Sequence, residues 1–142
     1  MFSHVFLGVT NFNEAKAFYD PLMALIGARP RFSDHSRPWA GWESSPGVRP
    51  LFIIGSPING EPATAGNGTM VAFQVQSRDQ VDAAHALALS GGGRDEGAPG
   101  LRPEYHAHYY ATYFRDPDGN KICVVCHAPI ERHNELPYGS PA

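Results

Sequence analysis

The stretch "TMVAFQVQSRDQVDAAHALALSGGG", residues 69 to 93, decides the fold. Its first residues alternate, with Val71, Phe73 and Val75 on one side and Met70, Ala72 and Gln74 on the other. That is the period of a half-buried strand. Ser77 then supplies an N-cap, Val81, Ala84, Leu87 and Ala88 recur at helical spacing, and glycines end the run. The same order stands at the start of the chain, in "SHVFLGV" (3 to 9) and "NEAKAFYDPLMALIGA" (13 to 28). Asn11 or Asn13 can cap that helix, Gly27 can end it, and Pro21 predicts a kink or a break. Sliding one half by 66 residues sets Val5 on Val71, Leu7 on Phe73 and Val9 on Val75. Self-similarity at a fixed offset is the mark of a repeated supersecondary unit.

Working outward, three short β-like runs follow each helix: 29 to 34, 37 to 43 and 48 to 55, then 94 to 98, 107 to 115 and 119 to 127. Between the halves, "GSPINGEPATAGNG" (55 to 68) is rich in turn formers and nearly free of large apolar residues, so it reads as a linker. The expected organisation is one α+β domain of two β-α-β-β-β modules, about 3 to 55 and 69 to 127. A linker at 56 to 68 joins them and a tail occupies 128 to 142. Apolar faces Val5, Leu7, Val9; Val71, Phe73, Val75; and Ile122, Val124, Cys126 should lie under the helices. The opposite faces carry His4, Phe6, Gly8; Met70, Ala72, Gln74; and Cys123, Val125, His127. Such mixed faces suit a curved sheet lining a ligand cup.

"RDPDGNKICVVCH", residues 115 to 127, ends in the letters of a c-type haem attachment motif, Cys123-Val124-Val125-Cys126-His127. The turn chemistry of "DPDG" followed by a β-branched run makes this segment a strand instead. On a strand Cys123 and Cys126 point to opposite faces with Cα atoms about 10 Å apart. Neither one haem nor a disulfide can bridge them. Cys126 is assigned to the core.

With 42% hydrophobic and 18% charged residues the chain is globular, and its net charge of −3 carries no run of like charges. Nucleic acid and anionic membranes are therefore not the expected partners. No apolar run approaches the roughly 20 residues of a membrane span. The N-terminus lacks the basic region of a signal peptide, and only two cysteines occur. A reducing cytoplasm is the expected compartment.

"SHVFLGV", "AKAFYDPLMALIGA", "GNGTMVAFQVQSRDQVDAAHALALSGG" and "RDPDGNKICVV", in this order, resemble the vicinal oxygen chelate superfamily of glyoxalase I, bleomycin-resistance proteins and extradiol dioxygenases. The resemblance implies that the two modules form an open, cup-shaped mixed β-barrel with helices outside, assembled as a homodimer. It also implies metal ligands projecting from the first, fourth, fifth and eighth strands. His4 matches the first of these. Met70 stands where a histidine is usual and Cys123 where a glutamate is usual, while Leu51, Phe52 or Ile53 offers no ligand on the fourth strand. Metal-assisted chemistry on an oxygenated substrate needs imidazole and carboxylate donors with open positions, so this set is degenerate. No cofactor is expected. A divalent metal would need a rebuilt site, for which the soft set His4, Met70 and Cys123, or the histidines His106, His108 and His127, are candidates.

The expected function is accommodation of a small organic ligand in the cup, lined by His4, Met70, Cys123, Tyr109 and Tyr113. The alternative is a metal-dependent lyase or dioxygenase with a rebuilt site, or a metal-free catalyst using Cys123 with His4 as base. Tyr105, Tyr109, Tyr110 and Tyr113 can stack on an aromatic ligand. At most one of Trp39 and Trp42 reaches the cup, and Arg37 and Arg102 are candidates to receive an anionic group. The tail, with three prolines, is expected to cover the barrel edge or a dimer partner, or to be partly disordered.

Overall fold

The computed structural model describes residues 1 to 130, so the role assigned to the tail falls almost wholly outside the described residues. The elements are β1 (His4–Gly8), α1 (Phe12–Ile26), β2 (Arg29–Asp34), β3 (Trp39–Glu43), β4 (Leu51–Gly55), β5 (Met70–Val75), α2 (Arg78–Ser90), β6 (Arg94–Leu101), β7 (Tyr110–Arg115) and β8 (Lys121–Cys126). They form two sheets of identical order, β1-β4-β3-β2 and β5-β8-β7-β6. In each, the first strand runs parallel to the last and the remaining pairs are antiparallel.

Both helices begin where the sequence places their caps. The Asn11 side chain accepts the Glu14 amide, and Gly27 closes α1 at φ 93°, a left-handed conformation open to glycine without strain. Ser77 and Gln80 form a reciprocal capping box at α2. Helix α1 runs through Pro21 as one element, with the proline on the solvent side. Its buried stripe is Phe12, Ala15, Phe18, Tyr19, Leu22 and Met23.

The predicted apolar faces do lie in one core with both helices. The barrel does not form. Each sheet is a separate four-stranded layer, and no strand of one pairs with a strand of the other. Nor do the helices stand outside: α1 and α2 touch each other and share a single core with the inner faces of both sheets. Phe52 of β4 meets Phe73 of β5 edge-on at 5.0 Å, and Phe18 of α1 meets Phe114 of β7 at 6.2 Å. The physical reason is the placement of the large apolar groups. Each buried one contributes about 1.5–3 kcal/mol, and they stand on the helix-covered faces, so the modules join there. Among the described residues no further strand pairs with the outer edges of β1 and β5, and on the faces opposite the helices Phe6 and Met70 are 45% and 42% exposed.

A second contact between the modules is polar. Asp116, in the β7–β8 turn, is buried and accepts from the Tyr19 hydroxyl (2.6 Å), the Asn120 side chain (2.9 Å) and the Asp118 and Asn120 amides (both 2.9 Å). Asn120 also donates to the Gly8 carbonyl at 3.1 Å, and the Thr10 amide donates to Asp118 at 2.8 Å. The "DPDGN" segment thus fastens the second module to α1 and to the end of β1.

Candidate functional site

Alternation along β8 sends Ile122, Val124 and Cys126 into the core and Lys121, Cys123 and Val125 to the other face. The register with β7 sets Tyr113 opposite Cys123 and Ala111 opposite Val125. After β6 the chain makes a turn that closes with the Arg102 amide on the Tyr109 carbonyl (2.8 Å), returning Tyr105, His106 and Tyr109 over this face. The result is a concave surface of about 940 Å³ lined by Met70, Tyr105, His106, Tyr109, Tyr113 and His127, with charged groups at its rim.

Cys123, expected to line the cup, is fully buried beneath Tyr109 and Tyr113 and does not line this surface. The Tyr109 hydroxyl lies 3.9 Å from its sulfur and 3.1 Å from the Tyr113 hydroxyl. Burial raises the thiol above its ordinary range, and the tyrosine hydrogen bonds only partly offset it. Burial likewise raises both tyrosine hydroxyls. All three groups are therefore neutral near pH 7, and the hydroxyls are available as hydrogen-bond partners.

His106 and His127 meet at 2.9 Å, Nε2 to Nδ1. His106 Nδ1 accepts the His108 amide at 3.1 Å, so in the neutral pair its proton sits on Nε2 and is donated to His127. His127 is left with an N–H on its Nε2. Both rings stand edge-on to Tyr109, at 5.6 and 5.4 Å. This pairing is not visible in sequence, because "PEYHAHYY" is a turn with no strand register. The sequence groups His106, His108 and His127 only as a candidate metal set, and places His127 on the face of Cys123 and Val125.

The other proposed residues fall elsewhere. His4 lies on the exposed face of β1, bonded to the Ser3 hydroxyl at 2.9 Å, in a different cavity with Phe6, Arg37 and Trp39. It is not brought to Met70 or Cys123, so within one chain the thiol lacks that base. Arg37 stacks on Trp39 at 3.7 Å, whereas Trp42 is in the core. Tyr110 turns to the helix side, donating to Asp82 at 2.6 Å, and does not line the surface with the other tyrosines. Register sets Ile53 at the β4 position that corresponds to Cys123 on β8.

These donors do not fit the divalent ion that the resemblance implies. His4 and Met70 open into separate cavities, the Cys123 thiol is buried beneath phenols, and Ile53 carries no donor. Among the described residues no group of three or more His, Cys, Asp or Glu side chains could hold a metal. No helix among them is long and apolar enough to cross a membrane.

Residues 1 to 124 match the model of the Glyoxalase/Bleomycin resistance protein/Dioxygenase superfamily, and the chain belongs to that family. A solved glyoxalase/bleomycin resistance protein from Albidiferax ferrireducens T118 is 43% identical, with a TM-score of 0.77 over 91% of this chain and 99% of that one. A family enzyme from Burkholderia phytofirmans PsJN is similar at 19% identity, TM-score 0.67, over 89% and 98% of the two chains. A glyoxalase-related enzyme from Fulvimarina pelagi is similar at 17% identity, TM-score 0.66, over 89% and 87%. The last two likenesses bear on the fold alone. No curated protein matches the chain.

Proposed function

We propose that this protein binds a small organic ligand on the concave face of its second sheet without a metal, as a binding or sequestering member of its family. The observation that carries the reading is the aromatic wall of Tyr105, Tyr109 and Tyr113 above the buried Cys123, with hydroxyls at 3.1 Å and an imidazole pair beside them. Flat π-faces give affinity for a ring, and the neutral hydroxyl and N–H groups fix its orientation. A metal-dependent lyase or dioxygenase is the weaker reading, because the donors that would hold its ion are dispersed.

The reading extends to a homodimer in the reducing cytoplasm. Its supports are the solvent-facing Phe6 and Leu101, which a second copy would cover, and the free thiols Cys123 and Cys126. Ligand-observed NMR with a set of aromatic fragments tests the central part. Saturable binding that is lost in Tyr109→Ala or Tyr113→Ala is expected. Binding unaffected by either substitution contradicts the reading.

A further inference from the structure

We infer that the ligand of this face is an aromatic carboxylate, its ring against Tyr113 and its carboxylate between Arg102 and Lys121. The inference rests on the proposed ligand site and names the chemistry that the site selects. The Arg102 guanidinium carbon stands 5.4 Å and the Lys121 ammonium 5.6 Å from the centre of the same tyrosine ring. Among the described residues neither cation forms a salt bridge. Arg102 donates to the Ala98 and Gly100 carbonyls, both at 2.9 Å, contacts that aim the guanidinium and leave its charge in place. Three of its five N–H groups remain for a ligand.

Strand β6 is shaped for this side chain. Its "DEGAPGL" run shifts register twice against β7, around Gly97. A Cβ at Gly97 would come 3.1 Å from one guanidinium nitrogen and from the Tyr113 ring, and one at Gly100 would come 3.3 Å from the other nitrogen. Glycine at both places clears a seat for Arg102 against the sheet. The third cation of the rim, Arg115, is already taken by Glu96 at 3.3 Å and the Gly119 carbonyl at 3.0 Å. Glu104, the other acid that lines the surface, stands on the β6–β7 turn and forms no salt bridge among the described residues. The cations of the surface outnumber its acids, and the two without a salt bridge both stand at the Tyr113 ring. A carboxylate there gains charge-assisted hydrogen bonds from a planar fork, while its ring meets a π-face already polarised by two cations.

Calorimetric titration of the full chain with benzoate and with its neutral isostere benzamide tests the inference. Benzoate should bind at least tenfold more tightly, the preference should shrink with added salt, and Lys121→Gln should remove most of it. Lys121 makes no hydrogen bond among those described, so this variant tests charge without disturbing the β6 seat; Arg102→Lys should keep a part of the preference. Equal affinity for acid and amide, both lost in Tyr113→Ala, overturns the anionic class and leaves the small-ligand reading standing. Failure of both probes to bind saturably overturns the inference together with that reading.

Discussion

The two concave faces have the same topology and opposite contents. Equivalent registers set His4 against Met70, Phe6 against Ala72, Ile53 against Cys123, and Gly41 against Tyr113. In the first module the strand next to the last carries glycine, and Phe32 of β2 lies across Gly41 and on Trp39 at 4.5 Å. In the second the pair is exchanged, with glycine at 97 on the outer strand and the aromatic at 113 beside it. The exchange moves a ring one strand inward, above Cys123, and the ring is a phenol. The large Phe6 gives way to Ala72 at the equivalent register. Both copies keep an open cavity, about 910 Å³ in the first and 940 Å³ in the second; the first is lined by Phe6 and Trp39 with His4 and Arg37, and the second by tyrosine hydroxyls, imidazoles and cations.

The turns between the last two strands differ as sharply, and here the largest effect is expected. Asp116→Ala removes the acceptor for Tyr19, Asn120 and two amides at once, leaving buried donors unpaired. The cost should be about 3 kcal/mol or more, measured by urea unfolding. In the corresponding turn of the first module, Ser44 donates to the Pro50 carbonyl at an exposed place. Ser44→Ala should stay within about 0.5 kcal/mol. Similar costs at the two turns would erase the asymmetry.

Asp116 also carries a pH signature. Burial raises its carboxyl above the ordinary range, against the lowering effect of its hydrogen bonds. The native state therefore binds this proton more tightly than the unfolded chain does. The contribution is fully present below the unfolded value and is lost as pH rises through the folded one. The stability of the wild type relative to Asp116→Asn should accordingly grow as pH falls from about 6 to 4. A difference that shrinks over that range would show that the carboxylate form is the favoured one.

Next come the exchanged glycines. A Cβ at Gly41 would meet two carbons of the Phe32 ring at 2.5 and 2.8 Å, and that ring is held against Trp39. Gly41→Ala should cost about 1–3 kcal/mol by overpacking. Gly97→Ala meets the flexible end of Arg102 and the Tyr113 ring at 3.1 Å, so its effect on stability should be smaller while benzoate affinity falls. Equal destabilisation with affinity unchanged would contradict the division of roles. The smallest effect concerns the thiols. Cys123 and Cys126 are 0% and 1% exposed, so both should resist alkylation in the native protein. Tyr109→Ala should release Cys123 alone.

The order of strands and helices was legible because local rules agree: alternation at Val71, Phe73 and Val75, the Ser77–Gln80 cap, and the "DPDG" turn. Alternation also divided Cys123 from Cys126 and Trp39 from Trp42. It states which face is buried and not what buries it, so it could not separate an open, cup-shaped barrel from two sheets joined through their helices. Exposure was hidden for the same reason: Cys123 faces the concave side as expected, yet tyrosines from a neighbouring strand and turn cover it. The His106–His127 contact and the seat of Arg102 depend on a turn and a bulged strand, where no period fixes direction. Arg37 and Arg102 looked alike in sequence. One stacks on the tryptophan of a hydrocarbon wall, and the other shares a tyrosine with Lys121.

The central claim is that the second concave face, and not the first, receives the ligand. Amide chemical-shift mapping of the labelled protein during a benzoate titration tests it most directly. The account predicts the largest shifts along Ala111–Tyr113 and Lys121–Val125, extending to His127. Largest shifts at His4, Phe6 and Trp39, with β7 and β8 unmoved, would contradict it.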